Sequence, residues 1–142
     1  PHFVVHRALS RYLDSDLSGI VYVDPISSIS GTLRDPFDIK NKVYKVDGPF
    51  DTDEISSTVV EAHEMLRTKQ PEAELFVYVD NALSLAPYTD RKEIVSFGKS
   101  LFKSFNKDRT FSILGLSVIK NPLYKKTHSK LKKHSDIVLL MG

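Results

Sequence analysis

Hydrophobic and polar positions follow two different periods along the chain, and these periods predict five strands and three helices. Short runs rich in β-branched and aromatic residues predict strands. The predicted strands are Gly19–Asp24, Lys42–Gly48, Leu75–Val79, Thr110–Ile119 and Asp136–Met141. Apolar residues at helical spacing predict amphipathic helices. These helices are Phe3–Leu13, a stretch from the cap Asp51 or Thr52 to about Lys69, and a stretch from the cap Thr89 or Asp90 to about Phe105.

The order of these elements predicts the fold class. Residues 25–42 contain two prolines and a glycine without a regular period, which predicts a loop. Elsewhere strands alternate with helices, and each strand is apolar on both faces, which is typical of a parallel sheet covered on both sides. We therefore expect a three-layer α/β/α domain over residues 1–142, with Leu75–Val79 among the central strands of a mostly parallel sheet. A chain of 142 residues is long enough to bury a substantial core.

Composition excludes several classes of protein. The chain is 41% hydrophobic and 27% charged, as in ordinary globular proteins. No apolar run approaches the length of a membrane span, and no basic and apolar leader precedes the first predicted element. The absence of cysteine excludes disulfides, thiol catalysis and cysteine-bound zinc. We expect no membrane partner and a cytoplasmic location, with the nucleus as an alternative.

Charge is distributed unevenly along the chain. Residues 1–90 contain 8 Lys/Arg and 15 Asp/Glu, whereas residues 91–142 contain 12 and 3. This polarity suggests one acidic and one basic face. The basic face could meet an anionic partner. Alternatively, the two faces could complement each other within or between subunits, which would support head-to-tail self-association or binding of another protein.

Aspartates end three of the predicted strands, and one of them suggests metal chemistry. Ligands of parallel sheets usually bind at the carboxyl ends of the strands, where Asp24, Asp47 and Asp80 lie. Asp80 follows the apolar run of residues 75–79, and a carboxylate at that point can hold Mg²⁺ directly or through water. The alternative is that Asp80 caps the next turn.

A phosphate-binding loop should accompany a nucleotide-binding Asp80, and the sequence does not supply one. Such a loop needs glycines that let backbone amides approach phosphates, followed by a lysine. The single Gly-Lys-Ser, Gly98–Ser100, lies inside a predicted helix, and Glu93 occupies the position of the first glycine. We assign no phosphate role to this tripeptide.

Histidines offer a weaker candidate for metal binding. His2 and His6 are one helical turn apart, a spacing that can hold a divalent metal on a helix face. Without a third ligand, such a pair is more often two solvated side chains than a metal site. His63 lacks the second histidine of the zinc-protease signature, and no Gly-x-Ser-x-Gly elbow occurs.

A lysine-rich segment, Lys120–His134, is the strongest chemical feature of the sequence. It contains six lysines, one tyrosine and two histidines, and it contains no acid and no arginine. Lysines neutralise phosphates and an aromatic ring can stack on a base. The lack of arginine argues against bidentate base recognition. The alternative interpretation is a solvated basic loop. The candidate nucleic-acid-binding residues are Lys120, Tyr124, Lys125, Lys126, Lys130, Lys132 and Lys133.

Several phrases in order along most of the chain resemble the RecA/KaiC-like ATPase core. They are "GIVYVD", "AELFVYVDNALSL", "TFSILGLSV" and "LKKHSDIVLLM". The resemblance implies that Asp80 is a Walker B carboxylate that binds cofactor and metal. It also implies that Asp24 lies near the position of a catalytic base. In recombinases of this superfamily, a loop after the strand matching Thr110–Ile119 lies on the DNA side. This would place the lysines of Lys120–His134 along nucleic acid, with Tyr124 as a stacking group.

The chain also departs from this family. The family's phosphate loop precedes the first helix, and this sequence begins at Pro1 directly ahead of that helix. We therefore expect a degenerate or truncated member, a non-catalytic regulatory or assembly module that contacts nucleic acid and needs no cofactor. The alternative is an ATPase core fragment, to which ATP and Mg²⁺ bind only if a phosphate loop is supplied from elsewhere.

Overall fold

The computed structural model describes residues 9–11, 19–26, 43–46, 48–105, 110–116 and 122–138. The chain divides into two compact units, Pro1–Pro71 and Glu72–Gly142. Both contain helices and short parallel strands, so the fold is mixed α/β, as predicted.

The first unit contains one parallel strand pair and one long helix. Strand β1, Tyr22–Asp24, pairs in parallel with β2, Val43–Lys45, and Tyr22 lies opposite Val43. Helix α1, Thr52–Lys69, packs against β1. Its buried apolar positions, together with the two apolar residues buried at the strands, form the core of this unit. These core residues are Tyr22, Val46, Ile55 and Ala62.

Local hydrogen bonds explain why α1 begins where it does. The backbone N–H groups of Asp53 and Glu54 donate to Oδ1 of Asp51 at 2.9 and 3.0 Å. An aspartate at this position accepts hydrogen bonds from amides that have no partner inside the helix. The negative charges of the acids in the first turn interact favourably with the positive end of the helix dipole. This confirms Asp51, of the two predicted caps, as the N-cap.

The second unit is built around a parallel strand pair joined by a helix. Strand β3, Leu75–Val79, is followed by a 3₁₀ helix, Ala82–Leu85, and then by helix α2, Arg91–Phe105. Strand β4, Thr110–Leu114, pairs in parallel with β3, and Leu75 lies opposite Thr110. Helix α3, Pro122–Lys132, packs against α2. The core residues are Leu75, Ala82, Leu83, Leu85, Ile94, Val95, Phe97, Leu101, Phe105 and Leu131.

Strand β3 has its predicted bounds, three other predicted strands are present in shorter form, and the predicted sheet is not confirmed. The described strands form two sheets of two strands each, and β3 pairs with β4 alone within the described part of the chain. Residues 136–138 of the predicted last strand do not form a strand, and residues 139–141 lie outside the described residues. The interpretation of residues 1–142 as one domain stays a prediction.

Several predictions concern residues that lie partly or wholly outside the described ranges. Residues 9–11 are helical, and the rest of the predicted helix Phe3–Leu13 lies outside the described residues, as do Asp47, Lys120, His2 and His6. Residues 122–132 of the lysine-rich segment form α3, so this part of the segment is a helix and not a solvated loop. Among the helices that the structure describes, none is long and apolar enough to cross a membrane.

Candidate functional site

Helix α3 separates its buried and its charged residues cleanly. Thr127 and Leu131 are each 1% exposed, while Tyr124 and His128 are half-buried. These four positions follow the spacing of one helix face. The exposed lysines lie on the other side. We call them the lysine face: Lys125, Lys126, Lys130, Lys132 and Lys133.

The lysine face concentrates positive charge without compensation from its own helix. At about 100° per residue, the four lysines within α3 span an arc of about 160°. No acid occurs between Lys120 and Ser135. Like charges four residues apart, such as Lys126 and Lys130, destabilise a helix by about 0.2–0.5 kcal/mol per pair. A bound polyanion would remove this repulsion.

A glycine allows α3 to pack closely on α2. A Cβ atom at Gly98 would lie 2.6 Å from Cδ2 of Leu131 and 3.1 Å from Cδ2 of Leu114. Leu131 therefore occupies the space that a side chain at position 98 would need. The Gly-Lys-Ser tripeptide lies inside α2, as predicted, and Gly98 serves helix packing there. Through this contact α3 is anchored on the core of the second unit with its lysines outward.

Tyr124, the candidate stacking residue, lines a cavity of about 420 Å³ in the second unit. A cavity of this size can hold a small molecule or one nucleobase. The 3₁₀ helix, the beginning of α2 and the beginning of α3 surround it. The lining residues are Leu83, Ala86, Thr89, Asp90, Arg91, Lys92, Ile94, Tyr124 and Thr127.

Asp90 fixes the edge of this cavity where α2 begins. The backbone N–H groups of Lys92 and Glu93 donate to its Oδ1 at 2.6 and 3.0 Å. The pKa of Asp90 lies below its usual value mainly because of these hydrogen bonds, and the nearby cations lower it further. The Asp90 carboxylate already accepts hydrogen bonds from the backbone amides at the beginning of α2. A ligand anion would therefore contact the side chains of Arg91 and Lys92 instead.

Asp80 lies directly after β3, as the sequence predicted, and its side chain is exposed. The hydroxyl of Tyr78 donates to Oδ1 of Asp80 at 3.4 Å. The pKa of Tyr78 is raised mainly by partial burial of its hydroxyl group. The charge of Asp80 and this hydrogen bond raise the pKa further. Within the described residues, no group of three His, Asp or Glu side chains could hold a metal ion. The magnesium role of Asp80 stays a prediction.

Asp24, the other carboxylate candidate, belongs to the first unit. It is 8% exposed, and its Oδ1 accepts a hydrogen bond from the backbone N–H of Ile26 at 3.1 Å. An aspartate that bonds two residues ahead supports the turn after a strand. Asp24 therefore stabilises the end of β1, and its predicted role as a base stays a prediction.

Sequence reasoning missed one prominent surface, the outer face of the β3–β4 sheet. Phe76, Tyr78, Phe111 and Ile113 are 64%, 60%, 53% and 49% exposed. We call these four residues the aromatic face. The rings of Phe76 and Phe111 stack with centroids 5.3 Å apart and planes 21° apart. The alternation of side chains along the strands was visible in the sequence, but the strands were expected to be covered on both faces.

No family model, curated protein or solved structure matches this chain. The class of protein therefore follows from fold and surface alone. They define a mixed α/β protein with a lysine-rich helical face and an exposed aromatic sheet face.

Proposed function

We propose that the chain is a non-catalytic RecA/KaiC-like assembly or regulatory module that binds single-stranded nucleic acid through the lysine face. The observation that carries the proposal is the set of five exposed lysines on and directly after α3, in a segment without acids. The parallel pairing of β3 with β4, with Asp80 directly after β3, supports a three-layer RecA-like architecture. The lack of cysteine supports a cytoplasmic place of action.

The proposed contact is electrostatic and indifferent to base sequence. Lysine ammonium groups neutralise phosphates and release counterions, so affinity falls steeply as salt rises. Tyr124 borders the cavity beside α3, where an unstacked base could contact its ring. The proposed partner is therefore an unpaired strand, whose bases are free to leave the stack.

We expect labelled oligothymidylate to bind the chain at low ionic strength, as measured by fluorescence anisotropy. In the Lys125→Glu/Lys126→Glu variant, the salt dependence should weaken by about 0.7 per lost phosphate contact, or about 1.4 in log–log slope. Lys99→Glu/Lys103→Glu is the matched control, because both lysines are exposed on α2 and the change in net charge is the same.

Two outcomes would contradict the nucleic-acid role. If both double variants lose affinity equally, binding reflects net charge and not the lysine face. If the unmodified chain fails to bind even at low ionic strength, the lysine face belongs to an acidic protein partner. That second result would leave the assembly role in place and remove nucleic acid from the proposal.

A second candidate function is an ATPase core whose phosphate loop is supplied from elsewhere. The observation that favours it is the position of the exposed Asp80 carboxylate directly after β3. We expect calorimetry of the chain with ATP and Mg²⁺ to show no binding that depends on Asp80, because the sequence contains no glycine-rich phosphate loop. Micromolar binding that disappears in Asp80→Ala would contradict this expectation and favour the ATPase.

A further inference from the structure

The aromatic face is the largest apolar feature that the described residues leave open in the second unit. Its residues alternate along β3 and β4, so all four lie on the face opposite Leu75, Val79 and Leu114, and Ile113 also borders the gap toward α2. On the α2 side, Val79 and Leu114 line one narrow gap together with Leu101 of α2. Parallel strands are normally covered on both faces, because each face is apolar. The outer face thus has the chemistry of a surface that a further element covers.

The size of the aromatic face limits what can cover it. Four large side chains of about 150–250 Å² each, about half exposed, present roughly 400 Å². A patch of this size is at the scale of functional patches on monomers. A stable interface between two globular proteins needs about 800 Å² from each partner, so a second copy of this chain would find too little area here. A single amphipathic helix, which lays one apolar stripe on a surface, matches the available area.

Charge around the aromatic face specifies the chemistry of that helix. Glu74 is exposed directly before β3, and Asp80 is exposed directly after it. Carboxylates at both ends of the apolar strip favour lysine or arginine at the flanks of the docked helix. The exposed rings of Phe76 and Tyr78 add favourable cation–π contacts for the same residues.

We propose that the aromatic face docks an amphipathic helix of a partner protein, with basic residues on both sides of its apolar stripe. The proposal deepens the assembly role given above and rests on it, but it does not depend on nucleic-acid binding. Phe76 and Phe111 form the centre of the surface because their rings stack against each other. Tyr78 and Ile113 extend it toward Asp80.

The test uses two synthetic helical peptides and the full chain. Both peptides carry leucine at positions i, i+3, i+4 and i+7, and their remaining positions are lysine in one and glutamate in the other. Calorimetry should show binding of the leucine–lysine peptide and much weaker binding of the leucine–glutamate peptide. Phe76→Thr/Phe111→Thr should weaken binding by roughly tenfold or more, since central aromatic residues carry most of the energy of such interfaces.

Control variants make the result specific. Ile137→Thr removes an apolar side chain that is 77% exposed outside the strands, and we expect peptide affinity to stay unchanged. Glu74→Gln/Asp80→Asn tests the charge argument without altering the apolar strip, and it should also weaken binding of the leucine–lysine peptide. This second variant keeps the test decisive if the double threonine variant fails to fold.

The outcomes separate this inference from the proposed nucleic-acid role. Lys125→Glu/Lys126→Glu should leave peptide binding intact while it weakens oligothymidylate binding. The docking proposal is overturned if the leucine–lysine peptide does not bind, or if Ile137→Thr weakens binding as much as the double threonine variant. It is also overturned if Phe76→Thr/Phe111→Thr weakens oligothymidylate binding alone, because the rings would then stack on bases.

Discussion

The free energy of unfolding is expected to fall by about 2–4 kcal/mol when Gly115 is replaced by alanine. A Cβ atom at this position would overlap the backbone carbonyl oxygen of Asp80. It would also lie 2.8 Å from the carbonyl carbon of Asp80 and 2.9 Å from the carbonyl oxygen of Val79. Because all three are backbone atoms, no side-chain rotation relieves the overlap, and the ends of β3 and β4 would have to separate.

Hydrogen bonds at the same point increase the cost of that separation. The N–H of Gly115 donates to the carbonyl of Val79 at 2.7 Å, and the N–H of Ala82 donates to the carbonyl of Gly115 at 3.0 Å. Both bonds hold the turn that carries Asp80. An alanine at position 115 would therefore displace the candidate carboxylate as well as destabilise the sheet.

Chemical denaturation followed by circular dichroism measures the effect, and Gly19→Ala is the control. A Cβ atom at Gly19 meets nothing within 4 Å, so alanine there should change stability by less than about 1 kcal/mol and should often raise it slightly. If Gly115→Ala is as stable as Gly19→Ala, β3 and β4 do not approach each other at this point.

Local signals in the sequence predicted the four strands that the structure describes and the helices α1 and α2. Asp51 and Asp90, each one of two predicted caps, cap their helices in the structure, and they were predictable because a side-chain oxygen that satisfies the first amides is a short-range feature. The run from Leu75 to Val79 is a strand because its β-branched and aromatic residues fit a pleated surface. The predicted position of Asp80, directly after this strand, is correct for the same reason.

Helix α3 was missed although the sequence contained its signals. Tyr124, Thr127, His128 and Leu131 follow helical spacing, and Pro122 is suited to the first turn of a helix. A threonine, a histidine and a tyrosine make a weakly apolar stripe, so the lysines dominated the interpretation. The burial of Thr127 and Leu131 depends on α2, which local periodicity does not reveal.

Strand pairing and surface exposure required information that the sequence pattern lacks. A strand that is apolar on both faces gives no sign of which face is covered, so the open side at Phe76 and Phe111 was not predicted. The packing role of Gly98 could not be predicted for a similar reason. The sequence indicated only that Gly98–Ser100 is not part of a phosphate loop. The packing of Gly98 against Leu131 depends on how α2 and α3 lie side by side, which no local pattern specifies.

Replacing Leu131 with alanine is expected to lower the free energy of unfolding by about 2–4 kcal/mol. Leu131 is 1% exposed and fills the space above Gly98, so its loss leaves a cavity between α2 and α3. All five lysines of the lysine face stay in the sequence, yet binding of oligothymidylate should weaken, because α3 loses the contact that anchors it. The same denaturation and anisotropy measurements detect both effects.

A second substitution at Gly98 tests whether this contact is the cause. In the unmodified chain, Gly98→Ala gains about 1 kcal/mol of helix propensity but places a Cβ atom 2.6 Å from Cδ2 of Leu131, and the resulting strain offsets the gain. In Leu131→Ala that methyl group is absent, and the alanine at position 98 fills part of the cavity. Gly98→Ala should therefore restore about 1 kcal/mol or more in the Leu131→Ala background. If the two substitutions combine additively within about 0.5 kcal/mol, Gly98 and Leu131 are not in contact, and α3 is anchored on the second unit in another way.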